Sequence, residues 1–114
     1  MGGGAEKLLS LSLKRQPFDV MVTGEKKREF RIKSSWITAR LVDSKTGQDK
    51  FYDRVLFRNG YDKSRPAFTV SYKGYKLETS GIDKEYSNGL RVHHEPGEEV
   101  YVIFLGDDVV EVCK

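Results

Sequence analysis

The chain has 114 residues, of which 38% are hydrophobic and 32% charged, and its formal net charge is +3. This length suits one domain with a single small core, and the composition is typical of a globular chain rather than a disordered or membrane-spanning one. The single cysteine, Cys113, has no partner for an internal disulfide, and we expect it to be a strand-end or exposed thiol.

The first seven residues are rich in glycine and lack the charged region, apolar stretch and cleavage site of a secretory signal. We predict that residues 1–7 form a flexible leader or an artificial remnant, and that residues 8–114 form a single domain. No apolar run approaches the roughly 18 residues that a membrane helix needs. We therefore expect an intracellular protein, cytoplasmic or nuclear, with no membrane partner.

A strand and a short helix open the predicted fold. Apolar and hydroxyl residues alternate from Leu9 onward in the stretch 8–13, which indicates a half-buried strand. Pro17 suits the first position of the following helix, and Gly24 provides a C-terminal stop. The apolar face of this helix has the spacing i, i+3 and i+4 and consists of Phe18, Met21 and Val22.

The chain then changes to a period of two between residues 26 and 33. On a strand this period places Glu29 and Arg31 on one face, and Phe30 and Ile32 on the other. A second short helix follows, with Ser34 or Ser35 as its N-cap. Its residues at helical spacing are Trp36, Ile37, Arg40 and Leu41.

The rest of the chain reads as short strands separated by turns that contain glycine. The predicted strands are 52–57, 67–72, 75–78, 91–94, 100–105 and 109–113, and the last two are predicted to form a hairpin. Many short strands in so small a chain predict a strongly bent sheet or a closed barrel flanked by one or two short helices. The predicted fold class is α+β, mainly β.

Four residues after the first helix carry a resemblance to a known family. Gly24, Lys26, Glu29 and Arg31 fit the pattern G-x-K-x-x-E-x-R, which resembles the hallmark of the ASCH (activating-signal-cointegrator homology) domain of the PUA-like superfamily. The stretches LSLKRQPF, YDRVLFRNG and GEEVYVIFLGDDVVEV are similar to the first, middle and closing strands of that family.

The resemblance implies a small PUA-like β-barrel with one or two short flanking helices. It also implies a cleft into which Lys26, Glu29 and Arg31 point, and a role in binding RNA or nucleotides. One branch of the family resembles an amidohydrolase of 4-acetylcytidine that uses a lysine, a threonine three residues later and a distant glutamate. Here the lysine is Lys26, but Glu29 occupies the threonine position; Glu78 is a candidate for the distant carboxylate.

The same residues have a direct physical interpretation. The Arg31 guanidinium can hold a phosphate or carboxylate through two parallel hydrogen bonds, and Lys26 offers a compact second charge. Glu29 lies two residues from Arg31 on the same strand face and can orient it. The alternative is an exposed ion pair that contributes about 0–1 kcal/mol to stability and has no other role.

The charges are unevenly distributed along the chain. Residues 1–76 carry seventeen Lys and Arg against eight Asp and Glu, whereas residues 77–114 carry three against nine. This asymmetry predicts a basic face for an anionic partner, unless folding interleaves the two halves. Arg58 and Tyr61 in a loop, and Tyr72 in a strand, are candidates for phosphate contact and base stacking; packing in the barrel is the alternative for the tyrosines.

Other site types find little support. The stretch His93-His94-Glu95 places its two histidines on opposite strand faces with no further ligand at metal-binding spacing, so we expect no metal and no cofactor. The leading hypothesis is an RNA- or nucleotide-binding ASCH module. The alternatives are a small hydrolase of a modified nucleoside or a ribonuclease using Lys26 and Glu29, and a protein-interaction module with oppositely charged faces.

Overall fold

The computed structural model describes residues 6–112, which form a mainly-β α+β domain with two short helices. No helix in this range is both long enough and apolar enough to cross a membrane. In chain order the elements are β1 (Leu8–Leu13), α1 (Arg15–Val22), β2 (Arg28–Ile32), α2 (Ser35–Leu41), β3 (Arg54–Asn59), β4 (Ala67–Glu78), β5 (Ile82–Glu85), β6 (Arg91–His94), β7 (Val100–Leu105) and β8 (Val110–Glu111).

Six strands form one mixed sheet with the order β1-β3-β4-β7-β2, in which β1 is parallel to β3 and the other pairs are antiparallel. The short strand β8 also pairs with β4, and β5 and β6 form a separate hairpin. Within residues 6–112, β1 and β2 end the path and do not pair with each other. The sheet is therefore open at the level of its backbone ladder.

The core is packed between the sheet and the two helices. Phe68 on β4 contacts Phe18 of α1 at 5.2 Å and Phe57 of β3 at 5.4 Å between ring centroids. The second helix adds Ile37 and Leu41 to this core. The alternating leucines of β1 are buried as its sequence pattern predicts: Leu9, Leu11 and Leu13.

Local signals place both helices. The first begins at Arg15, so Pro17 is its third residue rather than its first; a proline in the opening turn removes no intrahelical hydrogen bond there. Gly24 follows it with φ +88° and donates its N–H to the Met21 carbonyl at 3.0 Å, which confirms the predicted stop. The Ser34 side chain accepts from the Ile37 N–H and confirms the second cap.

Two predicted turns are not turns. β4 runs continuously for 12 residues through Gly74, where the register with β7 shifts and φ is +95°, so this glycine forms a bulge. The predicted closing hairpin is also wrong, because β8 pairs with β4 and not with β7. Both β7 and β8 lie antiparallel to β4, and the chain continues along it past Gly106.

A side-chain network explains this continuation. The Asp108 carboxylate accepts hydrogen bonds from the Ser71 N–H at 3.0 Å and from Arg54 Nη1 at 2.7 Å. Arg54 also donates Nη2 to the Asp108 carbonyl at 2.7 Å. The Asp108 side chain thus accepts from a backbone N–H of β4 at the point between the β4–β7 and β4–β8 pairings, and the chain continues along β4 in the same direction.

The hairpin of β5 and β6 contains one strand that the sequence prediction missed, β5. Its turn docks against the ends of α1: the Asn88 side chain donates to the Gln16 carbonyl at 2.9 Å, and the Glu25 carboxylate accepts from the Ser87 N–H at 2.8 Å. This docking brings Tyr86 close to the strand that carries the motif.

The ends of the domain refine the predicted boundary. The Lys7 N–H donates to the Asp53 carboxylate, and the Lys7 carbonyl accepts from the N–H groups of Asp53 and Arg54, so the folded part includes at least the last residue of the predicted leader. Cys113 lies outside the described residues.

Candidate functional site

The motif residues form a chain of ion pairs on β2 and on the turn before it. Lys26 Nζ lies 3.1 Å from Glu29 Oε1. The other carboxylate oxygen of Glu29, Oε2, accepts from Arg31 Nε at 2.8 Å and lies 2.7 Å from Arg31 Nη2. Arg31 Nη2 also donates to the Ser12 carbonyl of β1 at 2.8 Å. One guanidinium therefore connects the two end strands of the sheet.

The charged face of β2 points into the protein. Lys26 is 3% and Glu29 5% exposed, while Ile32 on the opposite face is exposed. The period of two was predicted correctly, but the buried side is the polar one. This arrangement is stable only because every charge has partners, since an unpaired buried charge is strongly unfavourable.

The Lys26 ammonium group has such partners on all sides. It donates to the Arg28 carbonyl and to Glu29, and it lies 5.1 Å from the Phe30 ring centroid and 5.9 Å from that of Tyr86. Burial lowers the pKa of Lys26, and the Glu29 carboxylate partly opposes that shift. Lys26 therefore holds Glu29 in place, and it lines the same concavity as Glu29 and Arg31 while being only 3% exposed.

Arg31 has one nitrogen to spare. Its Nε and Nη2 bond Glu29 and Ser12, and Nη1 has no hydrogen-bond partner among residues 6–112. The side chain is 26% exposed. A guanidinium held rigidly on one edge and open on the other can bind an anion without first losing side-chain freedom.

Two concavities meet at Arg31. The first, called here the motif cleft, has a volume of about 620 Å³, and all three predicted residues line it: Lys26, Glu29 and Arg31. Its other lining residues include Lys14, Asn59, Tyr61 and Val92. The second, called here the β1 groove, has about 600 Å³ and is lined among others by Ser10, Trp36, Leu56, Arg58 and Lys63. Arg31 and Tyr61 line both.

The structure brings some of the predicted contact residues to these concavities. Tyr61 lies at their shared rim with 91% of its surface exposed. Arg58 lines the β1 groove, but its Nη1 donates to the carbonyls of Lys63 and Arg65, so it also holds the loop that carries Tyr61.

Two other candidates lie elsewhere. The Tyr72 ring packs edge to face on Tyr52 at 5.5 Å, and burial raises its pKa to about 12, so it belongs to the packing of the domain and lines neither concavity. Glu78 lines a separate concavity of about 250 Å³. Hydrogen bonds from Ser80 and Lys76 lower its pKa to about 2, and it does not line either concavity at Arg31.

Sequence reasoning missed Trp36 as a site residue. This side chain is 48% exposed, lines the β1 groove and stacks on the Arg40 guanidinium at 3.5 Å from the ring centroid. The signal that could have identified it is its position next to Ile37 on a helix of 7 residues. Ile37 and Leu41 fill the core-facing side of this helix, so the neighbouring Trp36 is left on its exposed side.

Within residues 6–112, no group of three or more His, Cys, Asp and Glu side chains could hold a metal ion. No family model matches this chain, and comparisons with curated proteins and with solved structures give no match either.

Proposed function

We propose that this protein is an RNA- or nucleotide-binding module of the ASCH type, and that the motif cleft receives a phosphate group. The observation that carries the proposal is the Arg31 guanidinium, fixed by the buried Glu29 carboxylate and with Nη1 open at the junction of the two concavities. A pre-oriented guanidinium suits the geometry of a phosphate oxygen.

The surroundings of Arg31 support the same ligand class. Lys14 is exposed beside the cleft and adds a second positive charge, while the Asn59 amide offers hydrogen bonds. Tyr61 provides an exposed aromatic face, on which stacking of a base contributes about 1–3 kcal/mol. Phosphate contact and base stacking together are what binding of a single strand requires.

The finer fold assignment also belongs to this proposal. Residues Gly24, Lys26, Glu29 and Arg31 resemble the ASCH motif, and Arg31 joins β1 to β2 through the Ser12 carbonyl. We place the domain with the PUA-like barrels as a variant in which the two end strands approach each other and a side chain, rather than a backbone ladder, spans the seam.

The hydrolase alternative gains no support from the geometry. A lysine base or nucleophile needs access to the substrate; Lys26 lines the motif cleft, but it is only 3% exposed and it donates to the Arg28 carbonyl and to Glu29. Glu78, its candidate partner, lines a different concavity.

The test is the binding of a short single-stranded RNA, followed by fluorescence anisotropy at about 50 mM and about 200 mM salt. We expect the affinity to fall with salt, and Arg31→Ala to weaken binding about tenfold or more, the effect of losing one charge-assisted hydrogen bond. Lys45→Ala removes an exposed lysine that lines none of the three concavities and is the matched control.

An affinity indifferent to salt, or one equal in wild type and Arg31→Ala, contradicts the proposal. Circular dichroism of each variant shows whether a loss of binding reflects a loss of fold.

A further inference from the structure

The free edge of β1 is unusually well prepared to receive another strand. β1 ends the sheet and pairs only with β3, in parallel. The carbonyls of Lys7 and Leu13 accept hydrogen bonds from Asp53 and Gly60, so the odd-numbered residues of this segment face β3. Because the direction of backbone groups alternates along a strand, Leu8, Ser10 and Ser12 present theirs to the open side.

Most of these outward groups have no partner. The Ser12 carbonyl accepts from Arg31 Nη2. Within residues 6–112, the Ser12 N–H and both backbone groups of Ser10 are without a hydrogen-bond partner, and Ser10 is exposed. Natural sheets usually protect such an edge with proline, a bulge or a charged side chain. The sequence Leu-Ser-Leu-Ser-Leu of 9–13 contains none of these.

The β1 groove lies beside this edge and is one-sided in charge. Its cations are Arg31, Arg58 and Lys63, and no acidic side chain lines it. Trp36 and Leu56 add apolar surface to its walls. A guest that fits this lining brings carboxylates together with apolar side chains.

We propose that the β1 groove binds an acidic peptide segment in extended conformation, which adds to the sheet as a strand beside β1. Main-chain hydrogen bonds to both backbone groups of Ser10 and to the Ser12 N–H supply the pairing, while the Ser12 carbonyl stays bonded to Arg31. A carboxylate of the peptide contacts Arg31 Nη1, and an apolar side chain packs on Trp36. This is strand addition, in which the backbone ladder gives affinity and the pockets give specificity.

Two other occupants fit less well. A second copy of this chain would bring the same three cations to the joint, and their repulsion opposes a β1-to-β1 dimer. Nucleic acid can neutralise the cations, but it lacks the donor and acceptor pairs that repeat about every 6.6 Å along an extended peptide and match a strand edge. The open edge is therefore the feature that selects a peptide.

This inference goes beyond nucleotide binding and uses mostly different residues. The two concavities share Ser12, Arg31, Gly60 and Tyr61, so a peptide and a nucleotide compete at Arg31. Ser10, Trp36 and Leu56 line the β1 groove and not the motif cleft. Either proposal can fail while the other holds.

The test uses the blocked hexapeptide acetyl-EVEIEV-amide and isotope-labelled protein. We expect the peptide to shift the amide signals of Ser10 and Ser12 and to slow their hydrogen exchange, because both gain or flank new ladder bonds. The same peptide with lysine for glutamate, and a version with methylated backbone nitrogens, should bind about tenfold more weakly or not at all.

Trp36→Ala should weaken the peptide about tenfold or more, since buried aromatic anchors dominate such interfaces. Phe51→Ala is the control, because Phe51 is an exposed aromatic that lines none of the three concavities. The RNA affinity of Trp36→Ala reports separately on the motif cleft.

The proposal is overturned if the peptide leaves the Ser10 and Ser12 amides unprotected, or if the lysine peptide binds equally well. Protection of these amides by RNA alone, or by a dimer detected in sedimentation, would assign the edge to one of the other occupants and also overturn it.

Discussion

Arg31 and Arg54 are two of the arginines that hold carboxylates in this domain, and their differences separate a structural role from a binding one. Arg31 of β2 contacts Glu29 at one end of the sheet. Arg54 of β3 contacts Asp108, which lies between β7 and β8. All three nitrogens of the Arg54 guanidinium have partners in the protein. Arg31 uses two nitrogens, and its Nη1 has no hydrogen-bond partner in the part of the chain that the structure describes.

The carboxylates differ in the opposite sense. Glu29 is buried and bonded to Lys26 and Arg31, whereas Asp108 lies at the surface. The buried Glu29 fixes Arg31, which keeps a donor for a ligand. The exposed Asp108 takes up the remaining donors of Arg54, which keeps none. An Arg–carboxylate pair in a sequence therefore says little about function until its unused donors are known.

The largest expected effect is a loss of stability on removing the partner of the buried Glu29 carboxylate. Lys26→Met leaves the Glu29 carboxylate without its ammonium partner in a buried site, and we expect the free energy of unfolding to fall by about 3 kcal/mol. Urea denaturation monitored by circular dichroism measures it. A change within about 0.5 kcal/mol, the range of an ordinary surface substitution, would show that the ion pair is not what stabilises the seam.

Removing each arginine in turn sharpens the contrast. Arg54→Ala should lower the free energy of unfolding by about 2 kcal/mol, because several hydrogen bonds that join β3, β4 and Asp108 are lost. Its RNA affinity should stay unchanged. Arg31→Ala should lower stability by a similar amount, about 2 kcal/mol, because it leaves one oxygen of the buried Glu29 carboxylate without its partner, and it should also weaken RNA binding. RNA binding weakened by Arg54→Ala and not by Arg31→Ala would contradict the assignment of roles.

The smallest expected effect is a pH dependence from Asp108. Hydrogen bonds from Ser71 and Arg54 lower the pKa of this carboxyl below its unfolded value of about 3.9. A lowered folded-state pKa means that the carboxylate stabilises the fold above about pH 4 and that this contribution is lost as the pH falls. In thermal melts between about pH 6 and pH 2.5, Asp108→Asn should therefore show a shallower acid-induced drop in Tm than wild type. Parallel curves would exclude this contribution.

Local sequence signals predicted the elements that depend on neighbouring residues. The stop at Gly24, the cap at Ser34 and the strand periods of 8–13 and 28–32 are all set by backbone sterics or by side chains a few positions away. The predictions of turns at 73–74 and 106–108 were wrong. Gly74 forms a bulge instead of a turn, and the Asp108 side chain takes the place of a ladder hydrogen bond to β4. Only the partner strand β4 decides between these outcomes.

The candidate site was predictable to a similar degree. A period of two places Glu29 beside Arg31, and their contact is present. The period of two alone did not indicate which face is buried, and the usual rule sends apolar side chains such as Ile32 inward. Only the resemblance to the ASCH motif implied that Glu29 and Arg31 point into a cleft. The sequence also did not reveal Trp36, which reaches the groove from a separate helix.

The sequence by itself determined a small mainly-β domain, two short helices and a motif whose acid and arginine share one strand face, because each depends on chain-local geometry. The tertiary structure decided that the sheet stays open, that Lys26 is enclosed between aromatic rings and that Arg31 spans β1 and β2 with one nitrogen free. These features arise where segments distant in the chain compete for the same hydrogen-bonding groups, and that competition is resolved only by packing.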